Sequence, residues 1–312
     1  MPNLWTHNLF GDCVAEHGGT RRWLEDGRLR NLFHLGCQGP DFLFYHRFFP
    51  WQGKSAMNEL GSRMHREACG AALMRMADAV RQNGAAPDDP LTVYVTGFLM
   101  HHVLDRNMHP YVFCKSGFKK WDHQRFEVIL DTIVVRKLRN LDTWAVPAWK
   151  EIHVGPRLPE SVTAMLEQVA EVHYPDMARR IGRDDWNAAY RDMIRAQKLF
   201  HDPTGLKTIL TFKQIEPFVY KRRYPQRDYL NESRSPWRHP ALENVRSTAS
   251  FWDLWEQSLQ DGRNVWEAAF RYWAEPADTA RRTLAEAIGN RSYEHGEDVS
   301  LGLEIRLEEP IW

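Results

Sequence analysis

The chain has 312 residues and is 43% hydrophobic, with 41 basic and 41 acidic side chains and a formal net charge of zero. That balance excludes a chain built as a whole to coat nucleic acid or an anionic membrane, and leaves such contacts to a local patch. Four cysteines without a CxxC pair exclude a disulfide scaffold and a zinc finger. No apolar run reaches the roughly 18 residues that span a bilayer. The opening MPNLWTHNLFGD lacks the basic start and apolar stretch of a signal peptide. A cytoplasmic protein with a sizeable core is therefore expected.

In chain order, residues 20–53 read as an irregular segment rich in glycine and aromatics, and a loop of that length in a compact domain is usually functional. Apolar positions from Ala56 to Val80 recur at three- and four-residue offsets, which predicts one helix closed by Asn83-Gly84 and Pro87. Leu91 to Met108 is a strongly apolar helix stopped by Pro110, and His123 to Arg139 is the next. Further helices are predicted over 159–172, 184–200, 205–220, 248–260, 264–273 and 277–288, with 299–307 the one fair strand. Residues 220–240 are irregular and basic, read as a solvated surface with phosphate binding as the lesser alternative. The thirteen tryptophans are read as core contacts rather than a lipid-binding array. The fold class is all-α, with a helical core over 1–157 and a C-terminal helical portion over 158–312 that completes or flanks it.

Chemistry concentrates in the first 130 residues. In GFLMHHVLDRNMHPY, His101 and Asp105 stand four apart and share a helix face, and His109 lies one turn further. His123 and Glu127 repeat the spacing in the next helix. Two such helices joined by a short connection aim several nitrogen and oxygen donors at one volume, a set that suits zinc and, without cysteine, tends toward catalytic sites. His65, Asp41 in its Gly-Pro-Asp turn, and His7 bring the donors to eight, enough for two or three Zn2+ ions. The competing reading makes each His/acid pair an ordinary hydrogen bond; two pairs in adjacent apolar helices favour metal. His102 points off the His101 face and is read as a packing or supporting residue. His46 is open, and the remaining histidines are assigned no role.

The order His7, Asp41, His65, His101-x-x-x-Asp105, His109, His123-x-x-x-Glu127 resembles the bacterial zinc-dependent phospholipase C family. That family shares its helical fold with single-strand-specific zinc nucleases and with the N-terminal domain of glycosylphosphatidylinositol-specific phospholipase D. The resemblance spans about residues 4–131. It implies that His65, His101 and Asp105 hold one zinc, and that Asp105 bridges to another also bound by His7. It further implies that His109, His123 and Glu127 hold a third, and that Asp41 is the catalytic carboxylate that orients or deprotonates the attacking water. Two departures stand out: the tryptophan whose free amine binds metal in secreted members is the internal Trp5 here, and the Asp105–His109 gap is two residues shorter. The implied activity is phosphodiester hydrolysis on a small phosphodiester or phospholipid. A nuclease or phosphomonoesterase of the same fold, and a non-catalytic protein with structural metals, are the alternatives.

Overall fold

The computed structural model describes residues 3–275 and 277–312. About 61% of the described residues are helical and 2% lie in strands, so the all-α class holds. The chain begins with α1 (Leu4–His17), α2 (Arg21–Glu25) and α3 (Gly27–Gly36), followed by a 3-10 segment over Gly39–Tyr45. The segment read as an irregular loop is thus largely helical. Asp26 caps α3 by accepting from Arg28 N and Leu29 N, and the glycines serve packing. A Cβ on Gly36 would sit 2.2 Å from Tyr94 O, and one on Gly97 would sit 2.3 Å from Phe33 O. The two glycines therefore let α3 lie backbone-close against the central helix.

The predicted helix over 56–80 is two helices, α4 (Ala56–Met64) and α5 (Cys69–Gln82), separated at Ala68, whose φ is +51°. The break frees the His65 carbonyl, which accepts from Tyr293 N at 3.0 Å and Ser292 Oγ at 3.2 Å. Next come α6 (Pro90–Ser116) and α7 (Asp122–Arg139). Pro110 does not end α6, which runs six residues further. Proline removes only its own donor, and the Arg106 carbonyl it leaves free faces the loop at Gly296. Helix α6 is buried on all sides and packs on α3, α7, α1 and α5, which explains why its sequence is apolar around the whole circumference.

The C-terminal portion comprises α8 (Glu160–His173), α9 (Pro175–Ala178), α10 (Asp185–Phe200) and α11 (Leu206–Leu210), then α12 (Phe251–Ala274) and α13 (Asp278–Ile288). The helix expected over 205–220 stops at Leu210 because Phe212 and Lys213 turn left-handed. Conversely, the two helices expected over 248–273 are one: Gly262 is no stop, but the place where α12 meets Val14 and Phe10 of α1. The strand expected over 299–307 is absent; Val299–Leu301 is a 3-10 turn ended by Gly302 at φ +59°. The strands that occur, β1 (Trp237–Arg238) and β2 (Arg246–Ser247), pair antiparallel with Trp237 opposite Ser247. One apolar core runs from Leu4 to Ile288 through both portions of the chain. The four cysteines are unpaired, and no helix of the described residues is long and apolar enough to cross a membrane.

Candidate metal centre

All eight residues singled out in the sequence meet at one place. His101, Asp105 and His109 project from one face of α6, one turn apart. Helix α7 adds His123 and Glu127, α1 adds His7, the 3-10 segment adds Asp41, and His65 stands at the end of α4. Their ligand atoms form three groups, each with all its atoms within 4.8 Å of one another: His7, His101 and Asp105; Asp41, His65 and His101; His109, His123 and Glu127. His101 is shared by two groups. Asp105 joins the third, since Oδ1 lies 3.2 Å from His7 Nε2 and 3.7 Å from His109 Nε2, while Oδ2 lies 3.1 Å from His101 Nε2. His65 Nε2 is 3.1 Å from Asp41 Oδ1, so His65 groups with Asp41 rather than with Asp105.

Backbone carbonyls fix the ring orientations. His101 Nδ1 bonds Cys37 O at 3.0 Å, His65 Nδ1 bonds Gly61 O at 2.7 Å, and His109 Nδ1 bonds Tyr293 O at 2.5 Å. A ring that donates from Nδ1 keeps its proton there and leaves the Nε2 lone pair facing the centre, the arrangement seen around metal-bound histidine. Gly39 gives His101 its room: at φ +50°, a Cβ there would lie 2.1 Å from His101 Cδ2.

The decisive observation concerns what these atoms lack. His7, Asp41, His65, His101, Asp105 and His109 are buried, yet each keeps a centre-facing atom with no hydrogen bond of acceptable geometry among the described residues. Several of these atoms stand close enough for ion pairs, so proximity without alignment means that they aim at common points rather than at one another. Buried polar atoms left in this way are costly unless something else satisfies them. Protonation states agree at His7, His109, His123 and Asp105, whereas at His65 burial is outweighed by the neighbouring Asp41 carboxylate, which raises the imidazole. Burial pushes the His7 imidazole down to about 4 and holds those of His109 and His123 well below the usual value. Burial also pushes the Asp105 carboxyl up, but the histidines around it outweigh that and hold it well below the ordinary carboxylate range. Neutral imidazoles at His7, His109 and His123 around the ionised Asp105 are the donor states that a divalent cation requires, and a proton at His65 is one that a bound cation displaces, so the residues fit the metal.

The sequence missed the residues that hold the ligands in place. Tyr293 supplies the carbonyl for His109 and the amide for the His65 carbonyl, and its ring lies 5.0 Å from that of His65. It sits in the C-terminal portion, about 190 residues from His101 along the chain, where no spacing rule reaches. Asp131 is fully buried in α7 and accepts from Trp5 N at 3.0 Å, Thr6 N at 2.9 Å, Thr6 Oγ1 at 2.5 Å and Tyr220 OH at 2.7 Å. It pins the start of α1 and hence His7, and the Trp5 nitrogen is committed to it. His102, read as supporting, bonds Arg291 O at 2.8 Å, and His46 bonds Ser55 Oγ at 2.9 Å outside the centre. A surface cavity of about 300 Å3 near Arg106 and Arg291 shares no residue with the centre, and Asp261 pairs with both arginines there. No protein-family model, curated protein or solved structure matches the chain.

Proposed function

We propose that the protein is a zinc-dependent phosphodiester hydrolase of the phospholipase C type. The observation that carries this reading is the set of three adjoining donor groups, largely buried and rich in nitrogen and oxygen, in which the centre-facing atoms of His7, Asp41, His65, His101, Asp105 and His109 lack a hydrogen bond of acceptable geometry among the described residues. His7, His101 and Asp105 would hold one ion, Asp41, His65 and His101 a second, and His109, His123 and Glu127 a third. Ions so placed acidify water to near neutrality and stabilise charge on phosphate oxygens. The chain supplies the rest. Asp41 and His123 have the most exposed side chains of the eight, at 9% and 19%, and mark the mouth by which a substrate phosphate enters. Asp41, whose Oδ1 faces the centre, is the carboxylate at that mouth able to take a proton from the attacking water. Phe44, whose ring lies 5.4 Å from that of His65, and Phe113, 4.5 Å from His123, wall the approach with apolar surface and exclude bulk water.

The nucleotide-directed alternative relies on the basic stretch 220–240, and much of that charge is already engaged. Lys221 pairs with Glu216, Arg234 with Asp253, Arg238 with Glu309, and Arg222 lies 4.1 Å over the Trp144 ring. A structural-staple role predicts saturated ligand sets, whereas each group here offers three protein donors and leaves a tetrahedral position over. The test is hydrolysis of phosphatidylcholine and of single-stranded DNA at matched zinc, with metal analysis of the same preparation. Phospholipid cleavage that stops on chelation and returns with zinc is expected. A preparation that retains no metal after exposure to zinc refutes the reading.

A further inference from the structure

Three segments that converge beside the metal centre carry an unusual surface. Residues 42–58, 117–121 and 203–215 hold eight of the thirteen exposed large apolar side chains of the described residues in about a ninth of the chain. Their only formally charged residues are cations: Arg47, Lys54, Lys119, Lys120, Lys207 and Lys213. In a chain with equal numbers of acids and bases, that local asymmetry stands out. The segments share one apolar pedestal, a small cluster of Ala196, Phe200, Ile215 and Val219 separate from the main core. Phe48 packs against it, and the stack continues outward from Phe48 to Phe49 at 4.2 Å and from Phe49 to Trp51 at 4.8 Å. From the other side Trp121 meets Phe218 at 5.1 Å, and Phe218 stacks on Phe200 at 4.7 Å.

Helix α11 stands on the same pedestal, between Phe200 and Ile215, and is built to project. Asp202 caps it by accepting from Lys207 N and Thr208 N, and Lys207 Nζ ties it to the Lys198 and His201 carbonyls. Ile209 is 69% exposed, Leu210 68% and Phe212 88%. Phe212 and Lys213 are held left-handed at φ +50° and +63°, a conformation that costs non-glycine residues free energy and here turns the Phe212 ring outward. The ridge borders the centre at both ends. Phe44 joins the 42–58 segment to His65, and Trp121 stands two residues before His123.

We propose that this ridge docks onto the surface of a phospholipid bilayer that contains anionic lipid, with Phe212, Ile209, Leu210 and Trp51 entering the interface. Tryptophan and lysine around projecting aliphatic tips are the combination that favours a headgroup boundary. The cations of the three segments complement lipid phosphate, and the carboxylates that border them are withdrawn or engaged: Asp122 and Asp202 are buried, Glu216 pairs with Arg125 and Lys221, and Glu59 pairs with Arg180. The proposal rests on the phosphodiesterase reading for what is cleaved there, while the docking can be measured by itself. Flotation with vesicles of phosphatidylcholine, or of phosphatidylcholine mixed with phosphatidylglycerol, is measured on the zinc-loaded full chain carrying Asp41→Asn so that the lipid stays intact. Binding is expected, tighter with phosphatidylglycerol. The triple change Ile209→Ser, Leu210→Ser and Phe212→Ser should weaken it on the order of a hundredfold, and Trp51→Ser alone should weaken it by less. On the Asp41 background, the same changes should leave hydrolysis of a soluble monomeric phosphodiester and the melting temperature unaltered. Failure of that soluble assay in the unaltered protein removes the phosphodiesterase reading and leaves the flotation result standing. Absence of flotation, flotation unaffected by either variant, or light scattering showing a dimer that the triple variant abolishes, each overturns the proposal.

Discussion

Gly39→Ala adds one carbon and tests whether the shape around His101 is what assembles the centre. The added Cβ would lie 2.1, 2.5 and 2.7 Å from Cδ2, Cγ and Nε2 of His101. Carbon contacts settle at about 3.5–4.0 Å, so the ring must retreat by roughly 1.5 Å. Ligand positions tolerate about 0.2 Å, so His101 would leave both donor groups it serves. The left-handed backbone, the overpacking and the lost bond to Cys37 O together should cost about 3–5 kcal/mol. Gly53→Ala is the control, because Gly53 has φ +70° and nothing within 4 Å of its Cβ position. It should cost only about 1–2 kcal/mol. Urea unfolding of both variants, with metal counted per chain, makes the comparison. Gly39→Ala should keep the ion of His109, His123 and Glu127 and lose the others. The reasoning is wrong if Gly39→Ala matches the control in stability and binds as much metal as the parent.

Asp41→Asn should lower turnover about 10²–10⁴-fold while the two groups without Asp41 keep their metal, and undiminished turnover would reduce Asp41 to a plain ligand. Asp131→Asn replaces an acceptor of Trp5 N, Thr6 or Tyr220 by a donor, so a loss of about 2–4 kcal/mol is expected together with weaker metal binding at His7; calorimetry and metal titration measure the two. The metal-free protein should lose stability as pH falls. The His7 pKa is near 4 when folded and 6.5 when unfolded, so the unfolded chain binds the extra proton between those values. From pH 7 to 5 its share is about 2 kcal/mol, absent in His7→Phe; Asp131, pushed up to about 6 by burial, works the opposite way in both proteins and cancels in the comparison. Chelation should lower the melting temperature of the parent markedly, because bound metal contributes folding free energy, and a melt indifferent to chelator would count against a filled centre.

The features legible in the residues alone are local ones. Spacings of four in His101/Asp105 and His123/Glu127 set side chains on one face of each helix wherever that helix ends up, so these pairs and the all-α class could be read directly. Helix limits were less legible, because glycine and proline act differently when buried. Gly36 and Gly262 serve close packing inside or at the end of helices, and Pro110 is absorbed where a loop faces the carbonyl it leaves free. Which donors share a group was settled by packing: His65 joins Asp41 rather than Asp105, because α4 lies against the 3-10 segment that carries Asp41. Packing alone recruited Tyr293 and Asp131, which act through backbone groups far away in the chain, and backbone partners leave no residue pattern to read. The outward ridge follows the same logic. The aromatic run within 42–51 stood out in the sequence, but nothing linked it to 117–121 or 203–215, and only packing on Phe200 and Ile215 gathers the three onto one surface beside the centre.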